Sequence, residues 1–225
     1  MSALHPRDGY RLWAPTYSQE TAISSLETAL VDAMTPPLAG LRLLDAGCGT
    51  GRRLRACAAA SVVGVDLSPE MIEAGIGLGE PYPHIRTLVG DVRRLPLPDA
   101  GFDVVWCRLV IGHLPDYPAA YADLARVAAP GAVVIVTDFH AAAHAAGHRR
   151  TFREGGVVHE IVHYVHPIEA QIEQAHALGL VLCDRQEAAI GPTARPFYAA
   201  AGRDDLYAEH CGLPVVSALT FRRER

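Results

Sequence analysis

Three aspartates, Asp45, Asp66 and Asp91, each close a short apolar run, and Gly47, Gly49 and Gly51 alternate directly behind the first of them. A glycine-paved bend lets backbone approach a ligand closely, because no Cβ stands in the way. Carboxylates suit the hydroxyl hydrogens of a ribose. An acid at the tip of a second strand can accept both hydroxyls of a ribose, and Asp66 lies 19 positions after Gly47. The bend is expected to open a helix whose free N–H groups face the same ligand. A nucleotide-like ligand therefore belongs in the crevice these residues share.

A second set of residues could act on protons. Arg108 and His113 lie in Trp106-Cys-Arg-Leu-Val-Ile-Gly-His-Leu-Pro-Asp116, and Asp138, Phe139 and His140 follow a later apolar run. A neutral imidazole takes a proton near pH 7, which makes His113 the candidate general base, with a purely positioning role as the alternative. Arg108 would hold an acidic substrate or polarise a developing phenolate, the alternative being a surface ion pair. Seven of the 11 histidines fall between 140 and 176, which marks this stretch as unusual. His159 and His163 would share a face if the chain there is extended. Their spacing lacks a helical pair with a distant third ligand, so no metal site is expected. His140, His163, Tyr164 and His166 are expected instead at a substrate pocket, with solvated histidines as the alternative.

The elements that must position these groups alternate in kind. Apolar runs read as strands near 41–46, 61–66, 84–89, 102–107 and 132–138, with helices near 51–60, 68–79 and 117–128 between them. That alternation indicates a parallel, doubly wound α/β sheet, which binds ligands beyond the carboxyl ends of its strands. Ser68 suits an N-cap, with Pro69 at the first helical position and Glu70 in the first turn. Val157–His166 has strand-like alternation, and Pro167 opens a helix that ends at Leu178-Gly179. Leu180–Glu187 and Leu213–Arg223 read as the last strands, with helix over Arg195–Cys211 between them. His140–Gly156, rich in Ala, His and Gly, is expected to form a lid or a poorly ordered segment.

Asp45-Ala-Gly-Cys-Gly-Thr-Gly51, Val63-Gly-Val-Asp66-Leu-Ser-Pro-Glu-Met71, Gly90-Asp91-Val-Arg-Arg-Leu95-Pro96 and Phe102-Asp103-Val-Val-Trp106 resemble the successive motifs of class I S-adenosylmethionine-dependent methyltransferases. The resemblance is strong over roughly residues 40–140. It points to the branch of ubiquinone/menaquinone-type and natural-product enzymes, which act on small molecules. It implies a Rossmann-like, seven-stranded sheet, mostly parallel with a reversed last strand, and helices on both faces. It further implies that Gly47, Cys48 and Gly49 line the methionine part of the cofactor and that Asp66 holds the ribose. Leu67 and Met71 would lie against the adenine, with Asp91 at its amino group and the Val92 backbone beside it. Asp45, Tyr17 and Cys107 complete the expected cofactor shell; small buried filler is the plainer reading of Cys48 and Cys107. Tyr10–Tyr17 looks like a segment folded over the cofactor, with Trp13 near the substrate; alternatively Trp13 and Tyr17 staple a helix over 18–34. The implied division is an N-terminal helical lid over 1–40 and a methyltransferase domain over 41–225, with 140–167 as the acceptor-side lid.

A chain of 225 residues, half of them hydrophobic and a fifth charged, suits one α/β domain. The net charge of −5 argues against a nucleic-acid partner. No stretch of about 20 apolar residues suggests a membrane span, and no signal peptide opens the chain. Five scattered cysteines without a C-x-x-C pair fit a reduced, cytoplasmic protein. The expected function is methyl transfer from S-adenosyl-L-methionine, leaving S-adenosyl-L-homocysteine, to a phenolic, quinone-like or other secondary-metabolite acceptor in biosynthesis. In-line approach with about 3 Å between reacting atoms would be assisted by a His base, at oxygen, carbon or nitrogen. Two alternatives stay open: an inactive cofactor-binding partner or regulatory subunit, and a dinucleotide oxidoreductase. Against the latter, the dinucleotide fingerprint has its third glycine three positions after the second, whereas here the spacing is G-x-G-x-G. Assembly as a homodimer is also left open.

Overall fold

The computed structural model describes residues 3–77, 79 and 83–225. Two helices, Pro6–Trp13 (α1) and Ala22–Met34 (α2), precede the first strand, Arg42–Ala46 (β1). Then follow Ser61–Asp66 (β2), Pro69–Ile76 (α3), Ile85–Val89 (β3), Phe102–Arg108 (β4), Pro118–Val127 (α4) and Ala128–Phe139 (β5). The remainder comprises Ala141–Ala145 (α5), Thr151–Glu154 (β6), Val157–Glu160 (β7), Ile168–Ala177 (α6) and Leu180–Ala189 (β8). Arg195–Ala200 (α7), Asp204–His210 (α8) and Pro214–Arg223 (β9) complete the chain. Among the described residues no helix is long and apolar enough to cross a membrane.

Seven strands form one sheet in the order β3-β2-β1-β4-β5-β9-β8. β1 pairs in parallel with β2 and β4, and β9 runs antiparallel to both β5 and β8, so the expected reversed last strand is present. Alternation along each strand feeds two cores. Leu44, Val105 and Val134 pack on one side with Tyr121 and Leu124 of α4, while Leu43, Val104 and Ile135 pack on the other with Val31 of α2. The strand order reverses between β1 and β4, and the crevice beyond their carboxyl ends is the natural ligand site.

Several expected boundaries move, each for a physical reason. The helix expected over 51–60 is a single 3₁₀ turn, Leu54–Ala56, followed by extended chain. The connection must run back the length of the five-residue β1, roughly 16 Å at strand rise. After the bend only residues 54–60 are left, and as α-helix they would cover about 10 Å. The chain therefore straightens, and the Ala60 N–H reaches the Leu41 carbonyl at 2.9 Å. α2 begins at Ala22 rather than 18, because Thr21 and Ser24 form a reciprocal capping box there. β5 begins at Ala128 and passes through Pro130 and Gly131, with its register shifted against β4 at the start. Ser68 caps α3 as expected, its hydroxyl accepting from the Met71 N–H, and the helix ends at Ile76; position 78 of the expected span lies outside the described residues.

Residues 140–156 are not irregular but carry α5 and β6. The β6–β7 hairpin turns on Gly155-Gly156, both at positive φ (54° and 83°), as a two-residue hairpin turn of this hand requires. The strand expected over 157–166 stops at Glu160, because its backbone partners then change. Ile161 N–H donates to Arg150, Val162 to Leu4, and Tyr164 to Gly112, so no ladder continues. His159 and His163 therefore do not share a strand face.

Candidate active site

The bend after β1 is pinned by the Gly47 and Cys48 N–H groups, which both donate to the Val65 carbonyl of β2 (2.7 and 3.0 Å). Gly47 sits at φ 87°, and a Cβ there would lie 2.2 Å from a Val110 methyl, so only glycine fits. Asp66 closes the corner: its two carboxylate oxygens accept from the N–H groups of Gly49 (2.7 Å) and Ser68 (2.9 Å). Burial raises its pKa against these bonds, and its remaining lone pairs face the cleft. Gly49, Leu67 and Met71 continue the cleft wall, and Asp91 and Val92 stand at its far end. Arg93 grips the Asp91 carboxylate at 2.6 Å, which holds it below the usual carboxylate range. Tyr17 covers Gly49 from the other side, its ring 3.2 Å from where a Cβ would stand.

Beyond Gly47 the cleft narrows into a recess, the two spaces sharing Tyr17, Gly47, Arg108 and Leu109. Asp45 lies here, 3% exposed, with a buried Oδ1 that no protein donor reaches. Burial pushes its pKa up to about 6, with Arg108 working in the opposite sense. Cys48 points its sulfur over Gly64, leaving backbone towards the ligand, and burial beside Asp45 and Asp66 pushes its thiol pKa well up. Cys107 is a correction: fully buried, it belongs to the α4 side of β4 and leaves the cleft to Arg108, Leu109 and Val110.

Arg108 makes a buried ion pair, not a surface one. Its Nε and Nη2 donate to the two Glu27 oxygens at 2.9 and 2.7 Å, and Thr137 donates to Glu27 at 2.9 Å. Both side chains are more than nine-tenths buried. The guanidinium is thus spent on α2 before any substrate arrives.

His113 has both ring nitrogens engaged. Nδ1 lies 3.1 Å from the Val162 carbonyl, which can only accept, so Nδ1 carries the proton and Nε2 accepts from the Tyr10 hydroxyl at 2.8 Å. Arg150 Nε donates in turn to the Tyr10 oxygen at 3.4 Å. A chain of donors thus runs Arg150 to Tyr10 to His113 to a carbonyl. Burial and the Arg150 charge push the His113 pKa down to about 4, so the ring is neutral near pH 7. Burial pushes the Tyr10 phenol up to about 12.

The expected substrate residues part company. His163 comes next to His113, ring centroids 5.6 Å apart, and its Nε2 meets Asp138 at 3.1 Å above the bare Cα of Gly112. His140 does not reach the cleft: it caps α5 and lies 3.4 Å from Glu187. His166 bonds the Leu114 carbonyl at 2.8 Å and, like His140, lines a separate cavity beside α6 and β8. Tyr164 is half-exposed, because the chain after Ile161 crosses Gly112 and turns outward. Trp13 is taken up in packing, stacked between Tyr10 (5.8 Å) and Phe152 (5.1 Å). The sequence reading missed Tyr10, Glu27 and Arg150 as site residues. Tyr10 and Glu27 leave no local signal, their partners being 103 and 81 positions away. Arg150 could have been found, since residues 140–153 hold no acid to neutralise it.

S-adenosylmethionine, the cofactor expected from the resemblance, fits these groups. Asp66 and the Gly49 corner would hold the ribose, and the orphaned Asp45 oxygen calls for a cationic donor such as an amino-acid ammonium. A family model described as a methyltransferase domain matches residues 44–136. The malonyl-[acyl-carrier protein] O-methyltransferase of Serratia marcescens is 39% identical over 98 residues, 43% of this chain and 37% of that protein. The demethylmenaquinone methyltransferase of Lysinibacillus sphaericus is 33% identical over 119 residues, 51% of this chain and 50% of that protein. These matches therefore span a half or less of the length of each relative. In fold, an S-adenosylmethionine-dependent methyltransferase of Mesorhizobium loti superposes with a TM-score of 0.70 at 21% identity, covering 90% of this chain and all of that one. Motifs, sheet order and matched domain agree: residues 44–136 match a methyltransferase domain, and the chain has the fold of class I S-adenosylmethionine-dependent methyltransferases.

Proposed function

We propose that this protein transfers a methyl group from S-adenosylmethionine to a small, hydroxyl-bearing acceptor of the phenolic or quinol kind. The observation that carries the reading is the continuity of one cleft from the Asp66 corner to the Tyr10–His113 pair. When bound, the cofactor supplies a sulfonium methyl open to in-line attack. The protein's share is then orientation, exclusion of water and management of one proton.

Tyr10 and His113 together suit the handling of that proton. The Tyr10 oxygen can take a proton from an acceptor hydroxyl while its own proton passes to His113 Nε2, with Nδ1–H held by Val162. An imidazole as weakly basic as this one does not ionise a free phenol. It suffices for an oxygen that has gained a methyl group and become strongly acidic. His113 thus remains the proposed base, working through Tyr10, while Arg108 is proposed to position α2 against β4 rather than to touch substrate. The demethylmenaquinone in the name of one relative supports an acceptor of this class, whereas the malonyl group in the name of the other is a carboxylic acid.

Calorimetric titration tests the cofactor half. S-adenosylhomocysteine should bind, NAD should not, and Asp66→Ala should abolish the signal. NAD binding with no response to S-adenosylhomocysteine would overturn the assignment. The acceptor half is tested by release of S-adenosylhomocysteine from S-adenosylmethionine across a panel of phenols and hydroquinones; turnover confined to amines would refute it.

A further inference from the structure

The recess beyond Gly47 is lined by four arginines, and their charges do not balance alike. Arg52 meets Glu20 at 2.6 Å, Arg53 lies 3.8 Å from Glu27, and Arg108 meets Glu27 at 2.7 Å. Arg150 is the exception. Among the described residues no carboxylate comes within ion-pair distance of it; its Nε bonds the Tyr10 oxygen, and its guanidinium lies 5.2 Å over the Trp13 ring. The same recess holds the unpartnered Oδ1 of Asp45. One unpaired cation and one unpaired anionic oxygen facing a shared space are the complement of a zwitterion.

We propose that Arg150 pairs with the carboxylate of the cofactor's methionyl end, so that the 140–167 segment contributes directly to cofactor binding. This rests on the proposed cofactor reading and adds to it a ligand contact supplied from the acceptor side of the cleft. The guanidinium is held in place for such a pairing, since the Arg150 backbone carbonyl accepts from Ile161 N–H at 2.8 Å and Trp13 is itself stacked on Phe152. With Nε spent on Tyr10, the terminal N–H groups remain, and their planar fork matches a carboxylate. The bend also needs such a side chain. In a fold where the glycine bend opens an α-helix, the helix N-terminus supplies positive potential to the ligand. Here the three-residue 3₁₀ turn offers no such terminus. An anionic acceptor is the less suited occupant, because Arg150 shares its recess with Asp45, Gly47 and Cys48, which lie on the cofactor side.

The test compares S-adenosylhomocysteine with its decarboxylated analogue, which keeps the amine, and with 5′-methylthioadenosine, which lacks the whole amino-acid end. Calorimetry on wild type should give S-adenosylhomocysteine an advantage of about 10- to 100-fold over the decarboxylated analogue, the range of a charge-assisted pair. Arg150→Gln should erase that advantage while leaving methylthioadenosine binding within about twofold, which also reports that the variant is folded. Arg150→Lys should fall between the two. Equal wild-type affinity for the two ligands, or equal losses on both in Arg150→Gln, would overturn the proposal. Wild type that binds none of the three ligands would overturn the cofactor reading, and this assignment with it.

Discussion

Glu27→Leu removes one half of the most deeply buried ion pair in the site and should cost far more than a lone glutamate on an N-terminal helix suggests. The substitution leaves the Arg108 guanidinium, 6% exposed, without its two carboxylate bonds and the Thr137 hydroxyl without its acceptor. Breaking a buried pair by removing one partner costs about 3–5 kcal/mol, because the remaining charge stays desolvated. For a domain of this length each kcal/mol lowers the melting temperature by about 2–4 °C, so a fall of roughly 6–20 °C is expected in a calorimetric scan. Replacing both partners, Glu27→Leu with Arg108→Met, should recover most of the loss, since apolar side chains of similar volume fill the space without an orphaned charge. Glu20→Gln is the control: its pair with Arg52 lies near the surface and is worth at most about 1 kcal/mol. A Glu27→Leu variant that melts within about 2 °C of wild type, or a double variant no better than the single, would refute the reasoning. Either result would return Arg108 to the residues free to meet a substrate.

Cofactor affinity should depend on pH through Asp45. Its folded pKa is raised to about 6, so as pH falls through that value the carboxyl gains a proton, which favours the unliganded protein and removes the anion an ammonium would meet. S-adenosylhomocysteine affinity should therefore be flat above pH 7 and drop about tenfold by pH 5, and Asp45→Asn should flatten the profile; a wild-type profile that stays flat to pH 5 contradicts it. Tyr10→Phe cuts the link between Arg150 and His113 and should lower turnover by about 10²-fold or more while the ring still packs on Trp13; undiminished turnover would remove the proton path. Gly47→Ala should bind S-adenosylhomocysteine at least tenfold more weakly, since its Cβ drives into Val110 at positive φ; binding like wild type would show that the bend gives way freely.

The centre of the sheet was legible because β1, β2 and β4 are short apolar runs, each with its own stop signal. Asp45, Asp66 and Asp91 could be read as one site because strand ends in a parallel sheet face one way. What escaped the reading depends on distance in space. The connection after Gly51 has helix-forming residues, but its length cannot span the sheet as a helix, and geometry overrode propensity. His113 was visible as a proton acceptor; that Tyr10 and Val162 would occupy both its nitrogens was not, since those contacts join three separate segments. The histidine-rich stretch is divided in space: His140 and His166 line one cavity, His159 lies on the β6–β7 hairpin and His163 packs against His113, because the backbone leaves β7 at Ile161.

Leu4 sits in a parallel bridge with Ile161, with hydrogen bonds of 2.8 and 2.9 Å to Glu160 and Val162, and Gly9 of α1 lies directly on the Ile161 side chain. The two coverings of the cleft, one from before the sheet and one from after its fifth strand, are therefore stitched into a single door. Neither can be displaced without breaking those hydrogen bonds or carrying the other along. Loosening the leading residues would thus be felt about 150 positions away, as faster exchange of whatever the door encloses.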